Sequence, residues 1–512
     1  MWCIFWRCWS DQSRGKGKMV SHAVMQNGWY RFVPLLAFLA VYTITCLTGA
    51  IFFLLDVEAF VLLYEYFSGA AVPVLGGYER FVAICLLVAA PCFMAAGYTF
   101  TTSHLVCRIF PSAGTEVQPG KYMQTGVALL FLVSASITVW SLLKSGAFNE
   151  LAAWTDYAAY VGARWKLFRE LGYFEFVNIY LALPVIAAWL ALIVPFRGRA
   201  RFAAVLVIGL VVVLLTFFLF QKKSIIVSVI IFGGALLLDA SALFGREWVK
   251  RAGLGIVILT IAYFLAVIVP VMSDGSRTAE QSSEVAGGDF GVQSAAPTGT
   301  SQPEVKGEMS GEASQDSEAR IGKPGTLTEE EIQHRRNYIA DRMALHESRA
   351  KQIWLYTLMA PLTRTSASAL FYPVVFPDEH PYYGIDLGQD ILGFGHMPDD
   401  TIVVWRFMNP NISGSASAPY QFVLYSQIGL IGALAGSLVV GAALGFAWAW
   451  SQISFGREIR ALAGCGVVLF AIYIAIDGVR NSIFSSYGML WYLLMILAIW
   501  AVSNIGRLSF SR

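Results

Sequence analysis

Residues 419–448 read PYQFVLYSQIGLIGALAGSLVVGAALGFAW, thirty positions without a charged side chain. An α-helix rises about 1.5 Å per residue, so about 20 apolar residues cross a hydrocarbon core of about 30 Å. The stretch is therefore expected to be a membrane-spanning helix. Nine more segments meet the same test: 32–55, 80–103, 122–143, 174–195, 202–220, 223–243, 252–272, 460–478 and 483–504. All are of helix length, which does not fit the short alternating strands of an outer-membrane barrel. The expected fold is all-α and polytopic, with about ten transmembrane helices.

The composition agrees. Of 512 residues, 57% are hydrophobic and only 14% charged, whereas soluble proteins carry about 25% charged residues. Mean hydropathy is +0.60. A large soluble enzyme and a disordered or fibrous chain are both excluded. The net charge of +2 lacks the basic footprint of a nucleic-acid-binding protein.

Lys and Arg concentrate in cytoplasmic loops, and here they alternate with the spans. The tail 1–31 holds Arg7, Arg14, Lys16, Lys18 and Arg31 against Asp11. Later loops hold Arg197, Arg199 and Arg201, then Arg246, Lys250 and Arg251, then Arg457 and Arg460, and the tail 505–512 holds Arg507 and Arg512. With ten spans all of these fall on one side, which places both termini in the cytoplasm. No cleavable signal peptide is evident. The opening MWCIFWRCWS either lays Trp2, Trp6 and Trp9 in the interface or precedes a true start at Met19 or Met25. Cys3, Cys8 and Cys107 are expected in the cytoplasm, and Cys46, Cys85, Cys92 and Cys465 inside spans. No external disulfide framework and no zinc-like Cys/His spacing follows.

The chain divides as follows: helices one to seven over 32–272, an external loop over 273–418, and helices eight to ten over 419–504. The loop carries 20 acidic and 11 basic residues, a balance of 11 − 20 = −9. Its first part, 273–327, is rich in Ser, Gly, Glu and Pro and is expected to be a disordered spacer. In the second, 328–418, Thr328 and Glu331 form a capping box opening a charged helix at about 329–350. The apolar segment 353–375 contains Pro361, Arg364 and Pro373 and is expected to be an external interfacial or re-entrant helix pair. A loop dense in Pro, Gly, Asp, His and aromatics follows, the kind of segment that carries binding or catalysis.

Against this segregation, some external cations stand out. Lys222 and Lys223 occupy a short turn on the otherwise acidic side, where boundary charges point to function; lysines snorkelling to headgroups are the alternative. Arg164, Lys166, Arg169, Arg364, Arg406 and Arg480 lie on the same side, with Arg480 three residues from Asp477 and able to pair with it. Groups suited to proton transfer are His380, His396, Glu379, Asp378, Asp399 and Asp400. No GxGxxG, Walker A, HExxH or GxSxG motif sits in a sensible place. The cytoplasmic loops are too short for a nucleotide-binding domain. External chemistry would then use an activated lipid-linked substrate, whose pyrophosphate would explain clustered Lys and Arg.

Three stretches resemble the bacterial O-antigen and exopolysaccharide repeat-unit polymerases of the inner membrane. QKKSIIVSVIIFGGALLL (221–238) is similar to that family's short external turn with a basic residue opening a span. RTSASALFYPVVFPDEHPYYG (364–384) is similar to its Arg-led segment running into a Pro-aspartate-basic-Pro stretch, with His380 where such proteins often have Lys. NISGSASAPYQFVLYSQIGLIGALAG (411–436) is similar to its small-residue stretch before a span. The large late external loop also agrees. The resemblance implies a GT-C-like bundle related to the O-antigen ligases. It implies transfer of a growing glycan from undecaprenyl pyrophosphate onto the next lipid-linked repeat unit, without metal or other cofactor. Lys222, Lys223, Arg364, Arg164 and Arg480 would then bind pyrophosphate, with His380, His396 or Glu379 as the base. The expected partners are the lipid-linked donor and acceptor, membrane lipids, a chain-length regulator and a flippase. The alternatives are a ligase using the same donor, or a non-catalytic transporter of lipid-linked glycans.

Overall fold

The computed structural model describes residues 30–57, 60–61, 64, 73, 75–105, 121–150, 163–164, 166–167, 169–194, 198–219, 221–243, 362–363, 365–384, 400–408, 415–453, 455, 457–484 and 488–508. They belong to one unit formed by Met1–Val267 and Tyr356–Arg512. The expected seventh span at 252–272, the spacer at 273–327 and the capped helix at 329–350 lie outside the described residues.

Among the described residues the structure is helical, without strands. The helices are α1 (Tyr30–Leu54), α2 (Gly77–Ser103), α3 (Lys121–Lys144), α4 (Tyr173–Ile193), α5 (Gly198–Phe217), α6 (Lys222–Leu243), α7 (Ser366–Val374), α8 (Asp400–Met408), α9 (Tyr420–Ile453), α10 (Arg457–Ile474), α11 (Val479–Phe484) and α12 (Met489–Leu508). Five of them, α1 to α4 and α9, contain segments long and apolar enough to cross a membrane. Their outward faces are apolar: Leu129, Leu132, Trp140 and Leu143 of α3 are each more than half exposed. Such faces suit lipid tails and would be a liability in water.

Helix ends differ from the sequence expectation at the C-terminal side. The expected spans 460–478 and 483–504 are instead α10, the separate short α11, and α12. Just ahead of α11, Asp477 Oδ1 accepts the Gly478 N–H at 2.8 Å and the Asn481 Nδ2–H at 3.1 Å. Gly488, at φ +64°, turns the chain into α12.

Wide turns interrupt the long helices, one of them just ahead of a proline. In α2 a wide π-turn at Cys85–Ala89 precedes Pro91. Pro91 has no N–H for the carbonyl four residues back. That carbonyl, Leu87 O, accepts the buried Tyr42 hydroxyl of α1 at 2.9 Å instead. α1 has its own π-turn at Thr43–Leu47, where Thr45 O accepts the Thr365 hydroxyl at 2.7 Å just before α7. Ser366 to Pro373 are all buried, and α7 packs on α1, α2 and α9. This part of the 353–375 segment is therefore inserted among helices and does not lie on an outer face.

Two large apolar cores result among the described residues, beside a small third one of Phe131, Leu183, Ile186, Ala187 and Val212. One joins α1, α2, α7 and α9; the other joins α3, α4, α6, α10 and α12. α10 serves both, with Ala471 and Ile474 in the first and Leu462, Cys465, Leu469 and Tyr473 in the second. α2 and α9 approach through small residues, Gly97 against Leu438 and Ala442, and Gly441 and Gly445 against Met94 and Tyr98. This is the small-residue packing by which helices associate in lipid.

Pairings at the helix ends show which ends lie together. Tyr30 donates to Gln452 at 3.2 Å, Arg31 bonds Ser103, and Gly464 faces Gln452, Trp448 and Leu238. At the opposite end Lys144 pairs with Glu175 at 3.6 Å, and Trp491 donates to Tyr173 at 2.6 Å. We call these the Tyr30 end and the Lys223 end.

Candidate functional site at the Lys223 end

Lys222 and Lys223 open α6, after a turn in which the Ser224 N–H bonds Gln221 O at 3.0 Å. A helix N-terminus carries a partial positive charge that repels cations. The Lys223 ammonium adds to that field, and an anion would relieve it. The Lys223 ammonium is held over two rings, Tyr180 of α4 and Tyr473 of α10, each with its centroid 5.9 Å away. Both tyrosines are buried, and their hydroxyls meet at 3.3 Å.

A second group gathers on α7, α8 and α9. Asp400, in the first turn of α8, accepts the Tyr372 hydroxyl at 3.0 Å and the Ser426 hydroxyl at 3.1 Å on the same oxygen, Oδ2. One carboxylate thereby ties three helices together. Gly429, at φ +71° and ψ −177°, breaks α9. The break releases the carbonyls of Ser426 and Gln427, which take the N–H groups of Tyr383 (3.1 Å) and Gly384 (2.7 Å). The 381–384 segment is thus laid against the broken helix, with Tyr382 edge-on to Tyr425 at 5.5 Å.

His380 belongs to this second group. Its ring lies 4.5 Å from Tyr383 and 5.5 Å from Phe376. Its Nδ1 is 2.7 Å from Pro381 O. A carbonyl oxygen can only accept, so Nδ1 carries the proton and Nε2 is the acceptor in the neutral ring. Glu379 is exposed beside it. The two groups share one end of the bundle: Gly478, between α10 and α11, packs against Val423 of α9, with a Cβ there only 3.1 Å from Val423 Cγ1.

Of the residues singled out in the sequence, Lys223 and Arg480 lie close to α10, Arg480 being half-buried on α11, and His380 and Glu379 lie on the α7–α9 side. Arg164 is exposed on a helical segment ahead of α4. Arg364 and His396 lie outside the described residues, as does the side chain of Lys222. Among the described residues no group of His, Cys, Asp and Glu could hold a metal ion. Tyr180, Tyr473, Tyr372 and Ser426 were not foreseen. Each sits in an apolar run that reads as core, and its partner is far away in sequence.

Replacing Asp400 with alanine should lower the thermal stability of the purified protein by about 1–3 kcal/mol, the cost of leaving buried donors without a charged acceptor. Asp400→Asn, which keeps one carbonyl oxygen, should lose less. Equal melting of all three proteins would show that the carboxylate does not tie the helices.

No protein-family model, characterised protein or solved structure matches this chain.

Proposed function

We propose that the chain is an inner-membrane glycosyltransferase that polymerises oligosaccharide repeat units carried on undecaprenyl pyrophosphate. The observation that carries this reading is Lys223, a cation held by two buried rings at the mouth of a helical bundle. In this reading the Lys223 end faces the periplasm, and both termini lie in the cytoplasm. The fold is then a GT-C-like bundle of ten crossings. The helix directions support an odd number of crossings between α6 and α9: α6 runs from the Lys223 end toward Leu238 at the Tyr30 end, and α9 starts again at the Lys223 end. The expected span at 252–272 supplies one such crossing.

Lys222 and Lys223, with Arg364, Arg480 and Arg164, would neutralise charge as it develops on the departing pyrophosphate. His380, through Nε2, would accept the proton of the attacking hydroxyl; His396 and Glu379 are the other candidates for that role. The glycosidic bond to the new acceptor forms as the bond to pyrophosphate breaks, and the lipid pyrophosphate leaves. A ligase would use the same donor and a different acceptor. The break in α9 is the feature that favours a transporter, since such folds bind substrate at discontinuous helices.

Deleting the gene and resolving the surface polysaccharide on a gel separates the three. Polymerase loss leaves single repeat units on the carrier. Ligase loss leaves long chains on the carrier, and transporter loss leaves units on the cytoplasmic side. Complementation with the Lys222→Ala, Lys223→Ala double variant should fail to restore long chains while the protein accumulates in the membrane. Full restoration would sink the pyrophosphate role of these lysines.

A further inference from the structure

We infer that Gln421, Tyr420 and Tyr42 bind ordered water inside the bundle, where α9 begins against α1. Gln421 and Tyr420, in the first turn of α9, are both 0% exposed, and Tyr42 of α1 is 1% exposed. The Phe38 ring packs on Tyr420 at 5.9 Å and stacks on Tyr42 at 5.5 Å. Three polar groups thus meet in an apolar surround, next to the wide turn of α1 at Thr43–Leu47. Neither Nε2 nor Oε1 of Gln421 has a hydrogen-bond partner, and neither does the Tyr420 hydroxyl. Burying an amide in that state is strongly unfavourable, the more so in a bilayer that offers no polar neighbour.

The Tyr42 hydroxyl lies close enough to feel both Gln421 and Tyr420. Its hydrogen is committed to Leu87 O at 2.9 Å, so toward these two it offers lone pairs alone. Polar groups that face one another beyond bonding distance are the spacing that water bridges. The donors and acceptors also match. A water accepts the Tyr420 O–H and donates to Tyr42 Oη and to Gln421 Oε1, about three bonds being usual for a buried water. The Gln421 Nε2–H donates to a second water. An anion would take the donors and leave the amide oxygen unpaired, and a cation would do the reverse. Water answers both. The result is a hydrated joint that links α9 to α1 and, through Leu87 O, to α2.

The test uses the full chain in lipid bilayers, nitrogen-labelled at glutamine and read by solid-state NMR. Proton magnetisation should pass from water to the Gln421 side-chain amide, whose signal is assigned through its own backbone amide in the parent protein. Gln421→Met and Tyr420→Phe should each lower the melting temperature. The double variant should lose less than the two together, because both remove the same water.

No transfer from water to the Gln421 amide would overturn the site, whatever the variants do. A Gln421→Met protein that melts above its parent would also overturn it, since removal of a dry, unpaired amide has that effect. Transfer with fully additive losses would overturn the joint, by showing that Tyr420 and Gln421 share no water.

Discussion

Replacing Gly441 with valine should leave little folded protein to purify. A Cβ at this position would lie 2.8 Å from the Cα of Met94 on α2, against backbone and not against the end of a flexible side chain. Relief requires the two helices to move apart. Gly97 meets the same obstacle from the other side, its Cβ position 3.0 Å from the Ala442 nitrogen. The pair α2–α9 closes the core that buries Met94, Tyr98, Leu444 and Trp448. Lipid tails are as apolar as these side chains, so association in a bilayer depends on close packing more than on escape from water. Overpacking costs about 1–3 kcal/mol where side chains can shift, and here the obstacle is main chain. Gly441→Ala should show a smaller drop in melting temperature and Gly441→Val a collapse of monodisperse yield. Gly126→Ala on α3 is the control, because a Cβ there meets nothing within 4 Å. It should be neutral or slightly stabilising, since alanine is the better helix former by about 1 kcal/mol. A Gly441→Val protein that melts like its parent would show that this approach is not what joins the helices.

The helices were legible because a span is a local property. Length, apolarity and lack of charge mark 32–55 or 174–195 without reference to the rest of the chain, and helices stand there. What interrupts a helix is different. Nothing in the run GLIGALAG separates Gly429, which breaks α9, from Gly432 and Gly436, which do not. The break is meaningful only because Tyr383 and Gly384, some forty residues earlier, use the carbonyls it frees. Lys223 stood out because a cation on an acidic side is anomalous by itself. Tyr180 and Tyr473 did not, since an aromatic in a span is ordinary and only their meeting across the bundle gives them a role. The same holds for Asp400, one acid among several in its loop until Tyr372 and Ser426 converge on it. Segment 353–375 was ambiguous because proline and serine lower its apolarity. Ser366 and Ser368 are bonded within the bundle, so their polarity did not mean exposure.

Gly429→Ala should damage function more than stability. The backbone at φ +71° and ψ −177° is in a region that only glycine enters readily, and holding an alanine there costs about 1–3 kcal/mol. The space beside it is not the obstacle: a Cβ would rest 3.5 Å from the Tyr382 ring, an ordinary contact. The cheaper response is for the helix to heal. The Ser426 and Gln427 carbonyls would then recover the N–H groups of Leu430 and Ile431 and release those of Tyr383 and Gly384. Regular helix would repay much of the strain, so the protein should still fold. The released 381–384 segment carries the consequence, because it sets His380 against Tyr383 and Tyr382 against Tyr425. Hydrogen exchange should show the Tyr383 and Gly384 amides losing protection while α1 and α2 keep theirs. Surface polysaccharide in complemented cells should fall to short chains. Retained protection at those two amides would mean that the segment is anchored by something other than the break. Loss of protection with full-length polysaccharide would mean that the segment, His380 included, is not where the proposed chemistry occurs.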